Sequence, residues 1–167
     1  MIAGDEQKEA CPLCEKSGKR VLTFTVRSLL KSQLLPAVRG DRYSFCANSD
    51  CPVIYYERTP NSIFQKQDLK IRVGLKEKEE PKTLCYCFGH TLEGIRAEIW
   101  KKGKSNAFDE ISERIGAGLC HCEDANPEGR CCLGRVADAV REELKLLDIK
   151  TDAADQMAQS KRGCCDS

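Results

Sequence analysis

Twelve cysteines in 167 residues, most of them in short-spaced pairs, constrain this chain more than any other feature. Cys11 and Cys14 form C-P-L-C, and Cys46 and Cys51 form C-A-N-S-D-C, with residues 15–45 between the two pairs. A second batch reads C-Y-C at Cys85 and Cys87, then C-H-C-E-D-A-N-P-E-G-R-C-C from Cys120 to Cys132. Cys164 and Cys165 stand apart, near the end of the sequence. Two chemistries explain such a pattern: a disulfide framework or metal ligation. Disulfide scaffolds belong to secreted chains, and residues Met1 to Glu9 contain no apolar signal core. No stretch approaches the roughly 20 apolar residues of a membrane span. The expectation is a cytoplasmic protein with no membrane partner, in a reducing compartment where thiolates are free for metals. C-x-C and adjacent C-C are also poor spacings for ordinary bridges, whose Cα atoms lie about 5.5–6 Å apart. Metal is the better reading, and two batches of thiols predict two different centres.

Charge narrows the possible functions. Lys and Arg total 27 against 26 Asp and Glu, a net charge of +1. A nucleic-acid or anionic-membrane surface needs clustered positive excess, so no nucleic-acid partner is expected. Aromatic residues are only 6% of the chain, which implies a modest core that bound metal would reinforce. No grouping of Ser, His and acid and no phosphate-binding glycine loop is visible, so no enzyme is expected.

The periodicities predict an α+β fold. Val21 to Val26 alternates and reads as a strand. Ser28 is placed to cap a short helix from Leu29 to Leu35, stopped by Pro36. Tyr43-Ser44-Phe45 and Val53-Ile54-Tyr55-Tyr56 read as strands flanking a metal-binding turn, and Ile71 to Gly74 as a last short strand. The run Lys76-Glu77-Lys78-Glu79-Glu80-Pro81-Lys82 reads as a solvated linker. Beyond it the spacing turns helical. Thr91 caps a helix carrying Leu92, Ile95 and Ile99; Phe108, Ile111 and Ile115 mark a second, closed by Gly116 or Gly118. Val136, Val140, Leu144 and Leu147 mark a third helix, starting after Cys132. The expected organisation is a β-rich, zinc-stabilised subdomain (1–76), a helical [2Fe–2S] subdomain (77–149) and a flexible tail (150–167).

The first batch of thiols has the spacing of a zinc knuckle, in which Cys11, Cys14, Cys46 and Cys51 close a tetrahedron and leave no open position. Such a site is structural. In the second batch, Cys85 and Cys87 are too close for easy tetrahedral chelation of one zinc but can reach one iron of a small cluster. Cys122 and the Cys131-Cys132 pair would supply the other half. A [2Fe–2S] cluster takes four thiolates, so two of the six cysteines of this segment are spare. Asn126, Pro127 and Gly129 favour tight turns that direct backbone N–H groups inward. The dipole of the helix starting near Gly134 favours an anionic cluster.

C-P-L-C, Y-S-F-C-A-N-S-D-C-P-V-I-Y-Y, D-L-K-I-R-V-G-L-K-E-K-E-E-P, C-Y-C-F-G-H-T and C-H-C-E-D-A-N-P-E-G-R-C-C-L-G follow one another in this chain. In that order they resemble the N-terminal domain of CopZ-type copper chaperones, over roughly residues 11–145. The cluster half also looks like bacterioferritin-associated ferredoxin. The resemblance implies zinc on Cys11, Cys14, Cys46 and Cys51, and a [2Fe–2S] cluster on Cys85, Cys87, Cys122 and one of the adjacent pair. Neighbouring residues at a helix start point about 100° apart, so only one of the pair ligates comfortably; Cys132 is taken as that ligand, with Cys131 as the alternative. Cys120 is then a free thiol. His90 and His121 are expected near the cluster rather than on it. Complete members of that family carry a copper loop of the form M-x-C-x-x-C, which these 167 residues do not contain. The partners implied are a soft metal ion and either a metal-transporting ATPase or a redox protein. With its ligands all beyond Pro81, the cluster is expected to outlast the zinc fold.

Cys164 and Cys165 resemble the C-terminal pair of mercuric reductases. Soft thiolates select Cu(I) or Hg(II), and Lys161 and Arg162 favour the thiolate form. Two functions follow from these readings. One is a metal-handling protein that binds or traffics copper or mercury with redox support from the cluster. The other is a small electron carrier in which zinc is only a staple.

Overall fold

The computed structural model of the chain describes residues 9–58 and 62–147, and over these the architecture is α+β. Strands β1 (Lys19–Arg20), β2 (Ser44–Phe45), β3 (Val53–Glu57) and β4 (Ser62–Gln65) form an antiparallel sheet in that order. Helix α1 (Thr23–Leu29) and a 3-10 stretch (Ser32–Ala37) lie between β1 and β2. A hairpin of β5 (Thr83–Cys85) and β6 (His90–Thr91) opens the second half. It leads into α2 (Leu92–Lys102), α3 (Ala107–Gly116), α4 (Cys122–Ala125) and α5 (Leu133–Leu146).

Every residue of β3 is buried. A register shift between Val53 and Tyr55 breaks the alternation of faces. Ile54 and Tyr55 join a core with Val26, Leu30, Tyr43, Phe45 and Phe64, while Val53 and Tyr56 pack on the first thiol set. A second core gathers Ile95 and Ile99 of α2, Phe108 and Ile111 of α3, and Val136, Val140 and Leu144 of α5. These are the helical stripes read from the sequence. Their caps also match it. The Thr91 hydroxyl accepts the Gly94 N–H at 3.1 Å. Gly118, at φ 72°, ends α3 with the paired bonds Gly118 N–H to Ile115 and Leu119 N–H to Arg114, a Schellman closure.

Between Val21 and Val73 local reading fails in three places. The expected strand Val21 to Val26 is helical from Thr23, because Thr25, Val26 and Leu29 form a buried stripe at helical spacing. Leu22 and Phe24, which complete the apparent alternation, are exposed. Ser28 lies inside α1 rather than capping the expected helix Leu29 to Leu35, and Pro36 sits within the 3-10 stretch, not beyond a helix. The segment Ile71 to Gly74 forms no strand; Gly74 instead begins a single 3-10 turn to Lys76. A Cβ on Gly74 would meet the backbone of Thr83, and its N–H donates to the Tyr86 hydroxyl at 2.7 Å. Gly74→Ala is therefore expected to cost about 1–3 kcal/mol by overpacking, measured by urea unfolding of the metal-loaded protein.

The charged run is only partly solvated: residues 78–81 are exposed, but Lys76 at its head is buried. Across it the two cores are joined. Helix α1 packs on α4, and the Tyr55 hydroxyl of β3 donates to the Pro127 carbonyl at 2.7 Å. Glu128 pairs with Lys19 at 3.0 Å and also with Arg135 of α5.

Within the helical half, Glu143 of α5 is 4% exposed and is held by Arg96 of α2 through Nε (3.0 and 3.1 Å) and Nη2 (2.9 Å). Arg96→Met leaves that carboxylate buried without its fork. A loss of about 2 kcal/mol is expected, below the 3–5 of fully enclosed pairs because Arg96 itself reaches solvent. Adding Glu143→Leu should recover part of the loss, a double-mutant comparison read by thermal unfolding.

Candidate metal centres

The first thiol set is built by two turns. Cys11 and Cys14 flank a turn closed by Glu15 N–H to the Cys11 carbonyl and Cys11 N–H to the Lys16 carbonyl, both 2.9 Å, with Glu15 at φ 58°. Cys46 follows β2 directly, its N–H bonded to the Ile54 carbonyl at 2.9 Å. Cys51 precedes β3 by one residue and donates its N–H to Asn48 at 3.2 Å. The turns therefore face each other across the end of the sheet. All four Sγ atoms lie within 4.8 Å of one another, with Cys11–Cys51 at 3.8 Å and Cys14–Cys46 at 3.6 Å. A tetrahedron with zinc–sulfur bonds of about 2.3 Å has edges of about 3.8 Å, so the four thiols fit one zinc ion. Four sulfurs close the coordination sphere, which makes the centre structural.

Its electrostatics are uneven. Burial pushes the Cys14 thiol up, but the Lys16 backbone, the Asn48 side chain and the Cys46 thiol outweigh it and bring it to about 6. Burial pushes Cys46 up and Cys51 up to about 12. In the assembled site Cys14 is thus the readiest of these three to act as a thiolate, and Cys51 the least ready.

The second set is drawn together from three places. Cys85 ends β5, and Cys87 lies in the hairpin turn where Gly89 takes φ 76° and donates its N–H to Cys85 at 2.9 Å. Cys122 begins α4, and Cys131 and Cys132 immediately precede α5. Cys87 and Cys122 bring their sulfurs to 3.5 Å, and the His121 N–H points to the Cys87 sulfur at 3.4 Å. Cys132 hydrogen-bonds Cys85, which holds the Cys85 thiol down against burial. Cys122 is bonded to Cys131, which lowers it, but its bond to Cys132 and its burial push it up on balance. The five sulfurs thus form a spread, branched group centred on Cys122, whereas among the described residues only the first four thiols gather around a single point.

The turn ahead of Cys131 plays a role different from the one expected. The Asn126–Gly129 turn directs its N–H groups into itself: Asn126 Oδ1 accepts from Glu128 N–H at 3.0 Å, and Gly129 N–H bonds the Asn126 carbonyl at 2.7 Å. Asn126 also donates to the Arg130 carbonyl at 2.6 Å. His90 faces Glu110 at 3.8 Å and His121 faces Asp124 at 3.0 Å. Cys120 is half-buried and forms no disulfide. Cys164 and Cys165 lie outside the described residues. Two participants were not singled out in the sequence. Asn48 touches the Cys14 thiol, and Lys76 donates to the carbonyls of Asn48 and Cys51. Both look like ordinary surface residues in a linear reading. Among the described residues no helix is long and apolar enough to cross a membrane.

Comparison with known proteins agrees with this geometry. A family model described as a zinc binding domain (zf_CopZ) matches residues 8–70, which contain the first thiol set. The copper chaperone CopZ of Archaeoglobus fulgidus is 38% identical over 149 residues, covering 85% of this chain and 70% of that protein. The crystal structure of the N-terminal domain of Archaeoglobus fulgidus CopZ superposes with a TM-score of 0.63 at 35% identity, over 86% of this chain and all of that one. Sharing sequence and fold with CopZ from the zinc site through the helices, the chain belongs to the CopZ family.

Proposed function

We propose that this protein handles a soft metal ion, with zinc on Cys11, Cys14, Cys46 and Cys51 as a staple and a [2Fe–2S] cluster on Cys85, Cys87, Cys122 and Cys132 as its redox group. The observation that carries this reading is the contrast between the two thiol sets. One closes on a point, as a single ion needs; the other is strung out, as a two-iron cluster needs. When bound, the cluster would supply one-electron chemistry. The residues around it exclude water on one side, where Cys85, Cys122 and Cys132 are buried, and leave Cys87 and Cys131 half-exposed on the other. That partial exposure gives an electron a short path to a partner, and it is what favours the second reading, a small electron carrier of the bacterioferritin-associated ferredoxin type.

Cys164 and Cys165 are the candidate soft-metal ligands on sequence grounds, for Cu(I) or Hg(II). The relative's name supports copper as the cargo; a metal-transporting ATPase or a redox protein is the partner proposed on sequence grounds. Anaerobically purified protein is expected to contain one zinc, two irons and two acid-labile sulfides per chain; a colourless, zinc-only protein overturns the cluster. Titration with Cu(I) separates the two functions. The Cys164→Ser/Cys165→Ser double variant is expected to lose one bound ion relative to the parent, and equal binding by both leaves the electron carrier.

A further inference from the structure

Lys76 is 2% exposed, a burial that lysine almost never reaches without a partner. Its Nζ donates to the carbonyl oxygens of Asn48 at 2.6 Å and Cys51 at 3.1 Å, and lies 5.8 Å from the centre of the Phe45 ring. Two carbonyl dipoles and an aromatic face do not offset a whole charge removed from water. No carboxylate supplies the remainder. Glu77, next in sequence, pairs with Lys66 and Arg72, and Glu128 pairs with Lys19 and Arg135. Among the described residues no acid lies within ion-pair distance of the Lys76 ammonium.

The unclaimed negative charge is the thiolate set itself. Four thiolates around one dipositive ion carry a net charge of about −2 in a buried site. The two carbonyls that Lys76 grips belong to the turn carrying Cys46 and Cys51, so the ammonium both shapes that turn and puts its charge on the loop that carries two of the four thiols. The lysine is itself held in place: it ends the 3-10 turn that starts at Gly74, and its carbonyl accepts from Lys66 Nζ at 3.1 Å. We infer that Lys76 is a positioning residue of the zinc centre, its internal counter-cation, and that the site's affinity for zinc depends on that charge.

The inference rests on the zinc reading of the first thiol set, and competition of the full chain with a chromophoric zinc chelator tests both. Parent protein that takes up no zinc overturns the zinc reading and the inference together. With a parent that binds, Lys76→Met is expected to bind zinc about 10–100-fold more weakly. Lys76→Gln keeps a donor for the two carbonyls but loses the charge, so it is expected to be weakened similarly; it also carries the test where Lys76→Met does not fold. Parent-like affinity in Lys76→Gln overturns the inference. A charge effect has a further signature. In a Cys14→His background the zinc site carries one negative charge fewer, so removal of Lys76 should cost less than in the parent. An equal loss in both backgrounds shows a purely structural lysine and sinks the inference.

Discussion

Cys46→Ser is expected to abolish zinc binding and the cooperative unfolding of the N-terminal half. Structural zinc contributes about 10–16 kcal/mol of apparent binding free energy in small sites, against a total of about 5–15 kcal/mol for a whole domain. Strands β2 and β3 run directly into Cys46 and Cys51, so the ligands are the ends of the central strands rather than an appended loop. Val53 and Tyr56 pack on the sulfurs, and the Tyr56 hydroxyl ties the first turn down through the Glu9 carbonyl at 2.5 Å. Without the metal, buried thiols face one another with nothing to hold them. The second centre should not escape. Sequence alone places its ligands safely beyond Pro81, but Tyr55, Lys19 and Thr25 brace the loop ahead of Cys131: Tyr55 bonds Pro127, Lys19 pairs with Glu128, and a Cβ at Gly129 would lie 3.0 Å from the Thr25 hydroxyl. Cys46→Ser is therefore expected to lose visible absorbance along with zinc. Far-UV circular dichroism and metal analysis of the purified variant check this, and a variant that melts like the parent shows that the zinc is not structural.

What could be read from the sequence follows the range of the interactions involved. The α2, α3 and α5 stripes, the Thr91 cap and the Gly118 closure are set by residues within a few positions of one another, and all are found where the spacing places them. The first thiol set was legible for a different reason: C-x₂-C and C-x₄-C each form a local turn, and metal chemistry supplies the rule that pairs them. Failures cluster where a distant partner decides. Val21 to Val26 alternates like a strand, yet the chain is helical from Thr23, because its Thr25, Val26 and Leu29 face is buried and α1 lies on α4, which is far along the chain. The hairpin β5–β6 was invisible because its strands are too short to show any period. Lys76 reads as one more charge in a solvated run; only the folded chain brings it against Asn48 and Cys51.

Cys122→Ser is expected to bleach the protein while leaving one zinc per chain. Cys122 lies 3.5 Å from Cys87 and is hydrogen-bonded to Cys131 and Cys132, so its loss removes one of the four proposed ligands and one of the two links between the halves of the site. The surrounding helices should persist. Their core is carried by Ile95, Ile99, Phe108, Ile111, Val136 and Val140, and a thiol-to-hydroxyl exchange at one half-turn of α4 changes little apolar area. The first thiol set, with its own turns and its own packing, keeps its zinc. The same absorbance measurement separates the adjacent pair. Cys132 is 2% exposed and touches both Cys85 and Cys122, whereas Cys131 is half-buried at the rim. Since side chains at successive positions diverge by about 100°, one of the two takes the cluster. Cys132→Ser should bleach and Cys131→Ser should stay coloured; the opposite result moves the fourth ligand to Cys131, and colour retained in Cys122→Ser removes the proposed site altogether.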